Sequence, residues 1–241
     1  MASKNHYDSL APFYDTVIGK NNSSKKFLLN TAKKYLKSGS KVLELGCGTA
    51  ENLSVFASKY KLTGIDISEG MLKIARKKIP NGKFIQADIA DFNLKEKFDL
   101  IFCVYDTVNH LKDFKAWTSL FRCVKNHLSE GGIFIFDFNT LYKLNILSQS
   151  DIYPEFPGED TLLLNVRKVT KNLFNWEINY FKQVSGAKYE LIKSVIPESG
   201  YDTEKVLNEV KKHFSLINVS NESFKKVTKN SLRIFCTVKL K

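Results

Sequence analysis

The residues of this 241-residue chain that are able to do chemistry gather around one turn. In Lys41-Val-Leu-Glu-Leu-Gly46-Cys-Gly48-Thr-Ala50 a short apolar run, Val42, Leu43 and Leu45, breaks at two glycines. It then passes into a helical pattern with Leu53, Phe56 and Ala57 on one face. A strand feeding a glycine turn that opens a helix presents bare backbone N–H groups, where an anionic or nucleotide-like group docks. Glycine is needed because a Cβ would meet the ligand or forbid the turn's angles. Asp66 follows 20 residues after Gly46, at the tip of a second strand, Leu62-Thr-Gly-Ile-Asp66. There a carboxylate can accept hydrogen bonds from both hydroxyls of a ribose. After the apolar run Phe98–Val104, the polar loop Tyr105-Asp-Thr-Val-Asn-His110 supplies a side chain whose charge changes near neutral pH, His110.

Two ligands compete for such a turn. A dinucleotide fingerprint reads G-x-G-x-x-G, and its last glycine falls on Glu51, so that spacing fails. The run Glu44-Leu-Gly46-Cys-Gly48-Thr49 instead resembles the first motif of the class I S-adenosylmethionine-dependent methyltransferases. Ala50 stands where many members carry a third glycine. Asp66-Ile-Ser-Glu-Gly-Met-Leu72 is similar to the family's second motif. Asp88 and Ile89 match the carboxylate and backbone N–H that meet the adenine amine and a ring nitrogen. Tyr7-Asp-Ser-Leu-Ala-Pro-Phe-Tyr14-Asp15 resembles the N-terminal cap of small-molecule methyltransferases, which folds over the cofactor.

The resemblance implies S-adenosyl-L-methionine as cofactor and S-adenosyl-L-homocysteine as its product. It implies cofactor contacts from Tyr7, Tyr14, Glu44, Gly46, Cys47 and Gly48. A second group of contacts comes from Asp66, Ile67, Met71, Asp88, Ile89 and Val104. His110 is the candidate base or orienter, and Tyr14 a second catalytic candidate that supports either the cofactor's methionine end or the acceptor. Asp106 and Asn109 either bind an acceptor amine or cap the next helix. No metal is expected, because neither the four cysteines nor the four histidines show ligand spacing.

These residues need a frame. The fold class expected is α/β: a Rossmann-like, seven-stranded class I methyltransferase sheet with helices on both faces, plus a small inserted antiparallel β lid. Residues 1–40 form a helical cap, with a helix over 24–36 that turns Phe27, Leu28, Ala32 and Tyr35 inward. The core takes 41–159 and 200–241. Between them, over 160–199, the period changes to two: Phe174, Trp176, Ile178 and Tyr180 alternate with Asn175, Glu177 and Asn179. That insert is read as a lid over the site.

Composition narrows the function. The net charge is +12, with +6 over residues 1–41 and another +6 over 204–241, so the cofactor core is nearly neutral and both ends are basic. The excess is scattered lysine; arginine, the better fork for phosphates, occurs only at positions 76, 122, 167 and 233. The loop lacks an Asn/Asp-Pro-Pro-aromatic tetrad for gripping a flipped base, and Cys103 sits within a strand, away from proline. The expected acceptor is therefore a small molecule, most readily at nitrogen. Such an acceptor fits the resemblance of both ends to small-molecule N-methyltransferases, including amino-sugar dimethyltransferases of macrolide pathways. RNA or protein bound by the basic ends is the rival acceptor, and a catalytically silent cofactor-binding fold a second rival. No signal segment or membrane-spanning stretch is read, and no C-x-x-C pair, so the expected location is cytoplasmic, with reduced cysteines and no membrane partner.

Overall fold

Apolar runs without polar alternation need cover on both faces, and the structure supplies it. The computed structural model describes residues 7, 8, 10–17 and 22–241. A 3-10 turn at Ala11–Phe13 leads into α1 (Tyr14–Val17) and α2 (Asn22–Tyr35). The core follows as β1 (Lys41–Leu45), β2 (Lys61–Asp66), α3 (Glu69–Lys78) and β3 (Lys83–Gln86). It continues through β4 (Phe98–Cys103), α4 (Phe114–His127) and β5 (Leu128–Asn139). Next come α5 (Leu141–Leu147), β6 (Tyr153–Glu155), β7 (Thr161–Lys168), β8 (Leu173–Ser185) and β9 (Lys188–Ser199). The chain closes with α6 (Thr203–His213), β10 (Phe214–Asn221) and β11 (Arg233–Leu240).

Seven strands form one sheet in the order β10-β11-β5-β4-β1-β2-β3, the seven-stranded α/β architecture read from the motifs. The first five strands pair in parallel; β11 runs antiparallel to β5, with β10 as its hairpin partner. Successive residues face opposite sides. Leu43, Ile101, Phe134 and Phe136 join Trp117 and Phe121 of α4 and Val210 of α6. Val42, Leu100, Phe102 and Ile133 join Leu28 and Ala32 of α2 on the other face. Ser68 and Asp113 cap α3 and α4 by accepting the N–H of Met71 and Ala116.

The remaining four strands make a separate antiparallel sheet, β6-β7-β8-β9, which begins at Tyr153, ahead of residue 160. Its inward residues Leu162, Ile178, Tyr180 and Ile196 enclose Leu10, with Tyr7 and Phe13 packed at the edge. Val166 and Phe174 pack on Leu144 of α5. The small sheet is thus fastened to the N-terminal segment on one side and to α5 on the other.

Two local expectations are corrected. No α-helix follows the glycine turn: Leu53–Phe56 is a 3-10 turn, and Ala57 is exposed. Leu53 and Phe56 stand three apart, and in a 3-10 turn such positions eclipse, so both reach the core without a full helix. Tyr35 does not face inward; it ends α2 and is 42% exposed, and Leu36 packs against the core instead.

Candidate active site

The site is built at the carboxyl ends of the parallel strands, where the backbone turns sharply. Gly46 (φ +66°) and Gly48 (φ +51°) occupy the left-handed region, and a Cβ on Gly46 would stand 2.3 Å from Thr107 Cγ2. Thr107 of the 105–110 loop therefore fills the space a side chain would need. Ala50 also takes a left-handed φ of 61°, and its methyl is fully buried among Leu53, Phe56 and Val42. The alanine in the third-glycine position carries backbone strain, and its methyl belongs to the core.

Asp66 does more than the sequence reading assigned to it. Its Oδ2 accepts the Gly48 N–H at 2.8 Å and its Oδ1 the Ser68 N–H at 2.8 Å, so the carboxylate ties the glycine turn to the start of α3. Each oxygen retains acceptor capacity for a hydroxyl. Burial pushes this carboxyl up, against the pull of those backbone N–H groups.

A cavity of about 570 Å³ opens over the turn. It is lined by nine of the residues expected at the cofactor, namely Tyr7, Tyr14, Gly46, Gly48, Asp66, Ile67, Met71, Asp88 and Ile89, and by His110. Asp88 is exposed at the rim, with its Oδ1 accepting the Ala90 N–H. Glu44, Cys47 and Val104 line instead a recess of about 40 Å³ behind the turn, which Tyr14, Gly46 and Gly48 share. A wider surface depression of about 890 Å³ lies at the opposite ends of the strands, around Lys41, Asp99 and His127, and touches none of these groups.

The cavity suits a nucleoside bearing an amino-acid tail. The N–H groups of the turn expected to be bare are taken, Cys47 by the Ile65 carbonyl, Gly48 by Asp66 and Ala50 by the Cys47 carbonyl. What the turn offers is space without side chains at Gly46 and Gly48, an Asp66 carboxylate fixed by two backbone donors, and Glu44 Oε2, which is buried without a partner among the described residues. An orphaned buried acceptor at the recess asks for a donor such as an ammonium group.

The 105–110 loop is held by groups that sequence reading missed. Tyr105 (φ 69°) and Asp106 (φ 54°) are successive left-handed residues without glycine. Asp137 of β5, fully buried, accepts both of their N–H groups, at 3.0 and 2.7 Å, and the Arg233 guanidinium at 2.9 Å. Arg233 also donates to Asp106 at 2.6 Å. Asn139 donates to both Asp106 and Glu198, while Lys143 donates to Asn139. Burial and the neighbouring Asp106 hold the Glu198 carboxyl well above its ordinary range, whereas Arg233 pulls the buried Asp106 down. A signal was present: Asp137 interrupts an otherwise apolar strand, and a charge in such a run needs a partner.

Asn109 turns its amide into the interior and does not cap the next helix. It is buried, donating to the carbonyls of Asn139 and Ser199 and accepting the Asn139 N–H, which braces the loop against β5 and β9. Asp113 does the capping. His110 lies within reach of Tyr7, with Tyr7 Oη 3.0 Å from its Nε2, and burial lowers its pKa so that the neutral ring is favoured. All four cysteines are unpaired thiols, three of them buried. Among the described residues no helix is long and apolar enough to cross a membrane.

Comparison with known proteins agrees with this geometry. Residues 42–132 match the family model described as a methyltransferase domain. A solved S-adenosylmethionine-dependent methyltransferase from Clostridium acetobutylicum is 28% identical, covering 98% of this chain and 99% of its own at a TM-score of 0.85. The dTDP-3-amino-3,4,6-trideoxy-alpha-D-glucopyranose N,N-dimethyltransferase of Streptomyces venezuelae is 32% identical over 97 residues, 40% of this chain and 41% of that enzyme. The sugar N-methyltransferase KedS8 of Streptoalloteichus sp. shares the fold at 17% identity, with a TM-score of 0.76 over 93% of this chain and 90% of that one. Fold, motif segment and cavity converge on an S-adenosylmethionine-dependent methyltransferase, with the methyltransferase domain matched over residues 42–132.

Proposed function

We propose that the methyl group goes to a small molecule, at a nitrogen atom. The observation carrying this reading is the arrangement of Tyr7, Tyr14 and His110 at one wall of the cavity. Tyr7 stands edge-on to both other rings, 6.0 Å from Tyr14 and 5.6 Å from His110, and the inner face of the small sheet packs against its segment. A cavity with three rings along one wall suits a compact acceptor beside the cofactor. The dimethyltransferase of Streptomyces venezuelae, whose name describes an amino sugar methylated at nitrogen, supports the same atom.

S-adenosylmethionine, when bound, supplies a sulfonium methyl that a lone pair can attack in line, with the neutral thioether as leaving group. Asp66 would hold the ribose hydroxyls, Asp88 and the Ile89 N–H the adenine, and Glu44 Oε2 the tail. Ile67 and Met71 supply apolar contact beside the turn. Beyond that, the chain has to orient the nucleophile, exclude water and take a proton. Tyr14 contributes orientation, and His110, kept neutral by burial, is the proton acceptor.

A polymer acceptor is the second reading, and one contact favours it. Phe27 of α2 stacks on Phe224 at 4.9 Å, which joins the two basic ends of the chain; exposed Lys26 precedes one ring in sequence, and exposed Lys225 and Lys226 follow the other in the β10–β11 loop. Purified protein given methyl-labelled S-adenosylmethionine and a cell extract separates the two readings. Label in the low-mass, nuclease- and protease-resistant fraction, bonded to nitrogen, is expected. Label in digestible polymer, with incorporation falling steeply as salt rises, refutes the small-molecule reading.

A further inference from the structure

His110 Nδ1 lies 3.4 Å from the carbonyl oxygen of Pro197, near the end of β9. A carbonyl oxygen only accepts, so Nδ1 carries the ring's hydrogen and Nε2 keeps its lone pair. Nε2 lies 3.0 Å from Tyr7 Oη, which makes the tyrosine the donor. The lone pair that a base needs is thus covered by the Tyr7 hydroxyl, and both side chains line the cavity. The titratable and charged groups around the ring are Asp106 from the loop, Glu198 of β9 and Arg233 from β11. Those acting on the Tyr7 hydroxyl are Tyr14, Asp106, Glu198 of β9 and Asp66 of β2.

We propose that Tyr7 is a catalytic residue: its hydroxyl oxygen receives the proton of the acceptor nitrogen while its own hydrogen passes to His110 Nε2. This rests on the nitrogen reading above. The N–H bond of a cationic amine breaks, and the nitrogen keeps the electron pair with which it attacks the methyl. An O–H bond forms on Tyr7 as its old one breaks, and an N–H bond forms on His110. Tyr7 stays neutral throughout, as its burial requires, and the new positive charge rests on His110 near the Asp106 carboxylate. The Pro197 carbonyl keeps the Nδ1 hydrogen in place, so the end of β9 sets the direction of the transfer.

The test starts without any acceptor. Nitrogen-15 NMR of labelled histidines in the intact protein is expected to show His110 as the Nδ1–H tautomer at neutral pH, with Nε2 changing when Tyr7 is replaced in Tyr7→Phe. An Nε2–H tautomer in the native protein overturns the proposal, whatever the acceptor. Tyr7→Phe keeps the ring and is expected to bind S-adenosylmethionine within about twofold of native by calorimetry. Its transfer of label to the low-mass extract fraction should fall by about a hundredfold at neutral pH. The deficit should shrink as the pH approaches about 10, where amines arrive already deprotonated. A loss of cofactor affinity matching the loss of transfer, or a deficit independent of pH, overturns it. If the native protein labels oxygen or polymer, the nitrogen reading fails by itself and the tautomer result remains readable.

Discussion

Asp137→Asn tests the reasoning about the loop most directly. The native carboxylate accepts three hydrogen bonds in a fully buried setting, from Tyr105 N, Asp106 N and Arg233. An amide of the same shape offers one acceptor oxygen. If that oxygen takes the position of Oδ1, it keeps Asp106 N and Arg233 and turns its NH₂ toward the Tyr105 N–H. One buried donor is then orphaned, at about 1–3 kcal/mol. The two retained bonds lose the benefit of a charged acceptor, about 1 kcal/mol each. The opposite flip is worse, because it keeps one bond and loses two. The expected destabilisation is therefore about 3–5 kcal/mol, or about 6–20 °C in Tm for a chain of this size. Tyr105 and Asp106 should also leave their left-handed angles, so turnover should fall further than stability alone accounts for. Thermal denaturation followed by calorimetry, with Asp99→Asn as comparison, is the assay. Asp99 accepts one backbone bond, from Lys41 N at 2.8 Å, at the far end of the sheet, and should cost about 0.5–1.5 kcal/mol. An Asp137→Asn effect no larger than that of Asp99→Asn, with turnover intact, would refute the assignment of loop strain to this carboxylate.

Asp66→Ala should weaken S-adenosylmethionine binding by about 1–3 kcal/mol through the ribose contacts, and also lower thermal stability because the Gly48 and Ser68 N–H groups lose their acceptor. Unchanged affinity by calorimetry would mean that the carboxylate serves the turn alone. Glu198→Gln should alter the pH dependence of stability. The Glu198 carboxyl is raised well above its ordinary 4.5 by burial and by Asp106. Above pH 4.5 the unfolded chain has lost a proton that the folded one keeps, so native stability falls as pH rises toward the raised value. The glutamine variant should show a shallower fall, with the share due to Glu44, which is raised in the same direction, remaining. Superimposable stability–pH curves for variant and native protein would contradict a Glu198 carboxyl raised by burial and Asp106.

Local chemistry wrote much of this protein into its sequence. Gly46 and Gly48 announce a turn that only glycine adopts cheaply, Asp66 ends the next parallel strand, and the unbroken apolar strands demand cover on both faces. Those features depend on neighbours within about 20 residues and are legible one after another. What tertiary structure decided comes from distant residues meeting in a dry interior. Arg233 reaches Asp106 and Asp137 across 127 and 96 positions, and Glu198 joins them from a different sheet. His110 read as a base or orienter on a polar loop; Pro197 and Tyr7, far apart in the chain, meet its two ring nitrogens only in the folded protein. The α-helix expected after Gly48 shortens to a 3-10 turn because Ala50, Leu53 and Phe56 find their core neighbours without it. A charge's worth depends on how much water surrounds it and which partner stands opposite. Both are set by the folded interior, where no local pattern can read them.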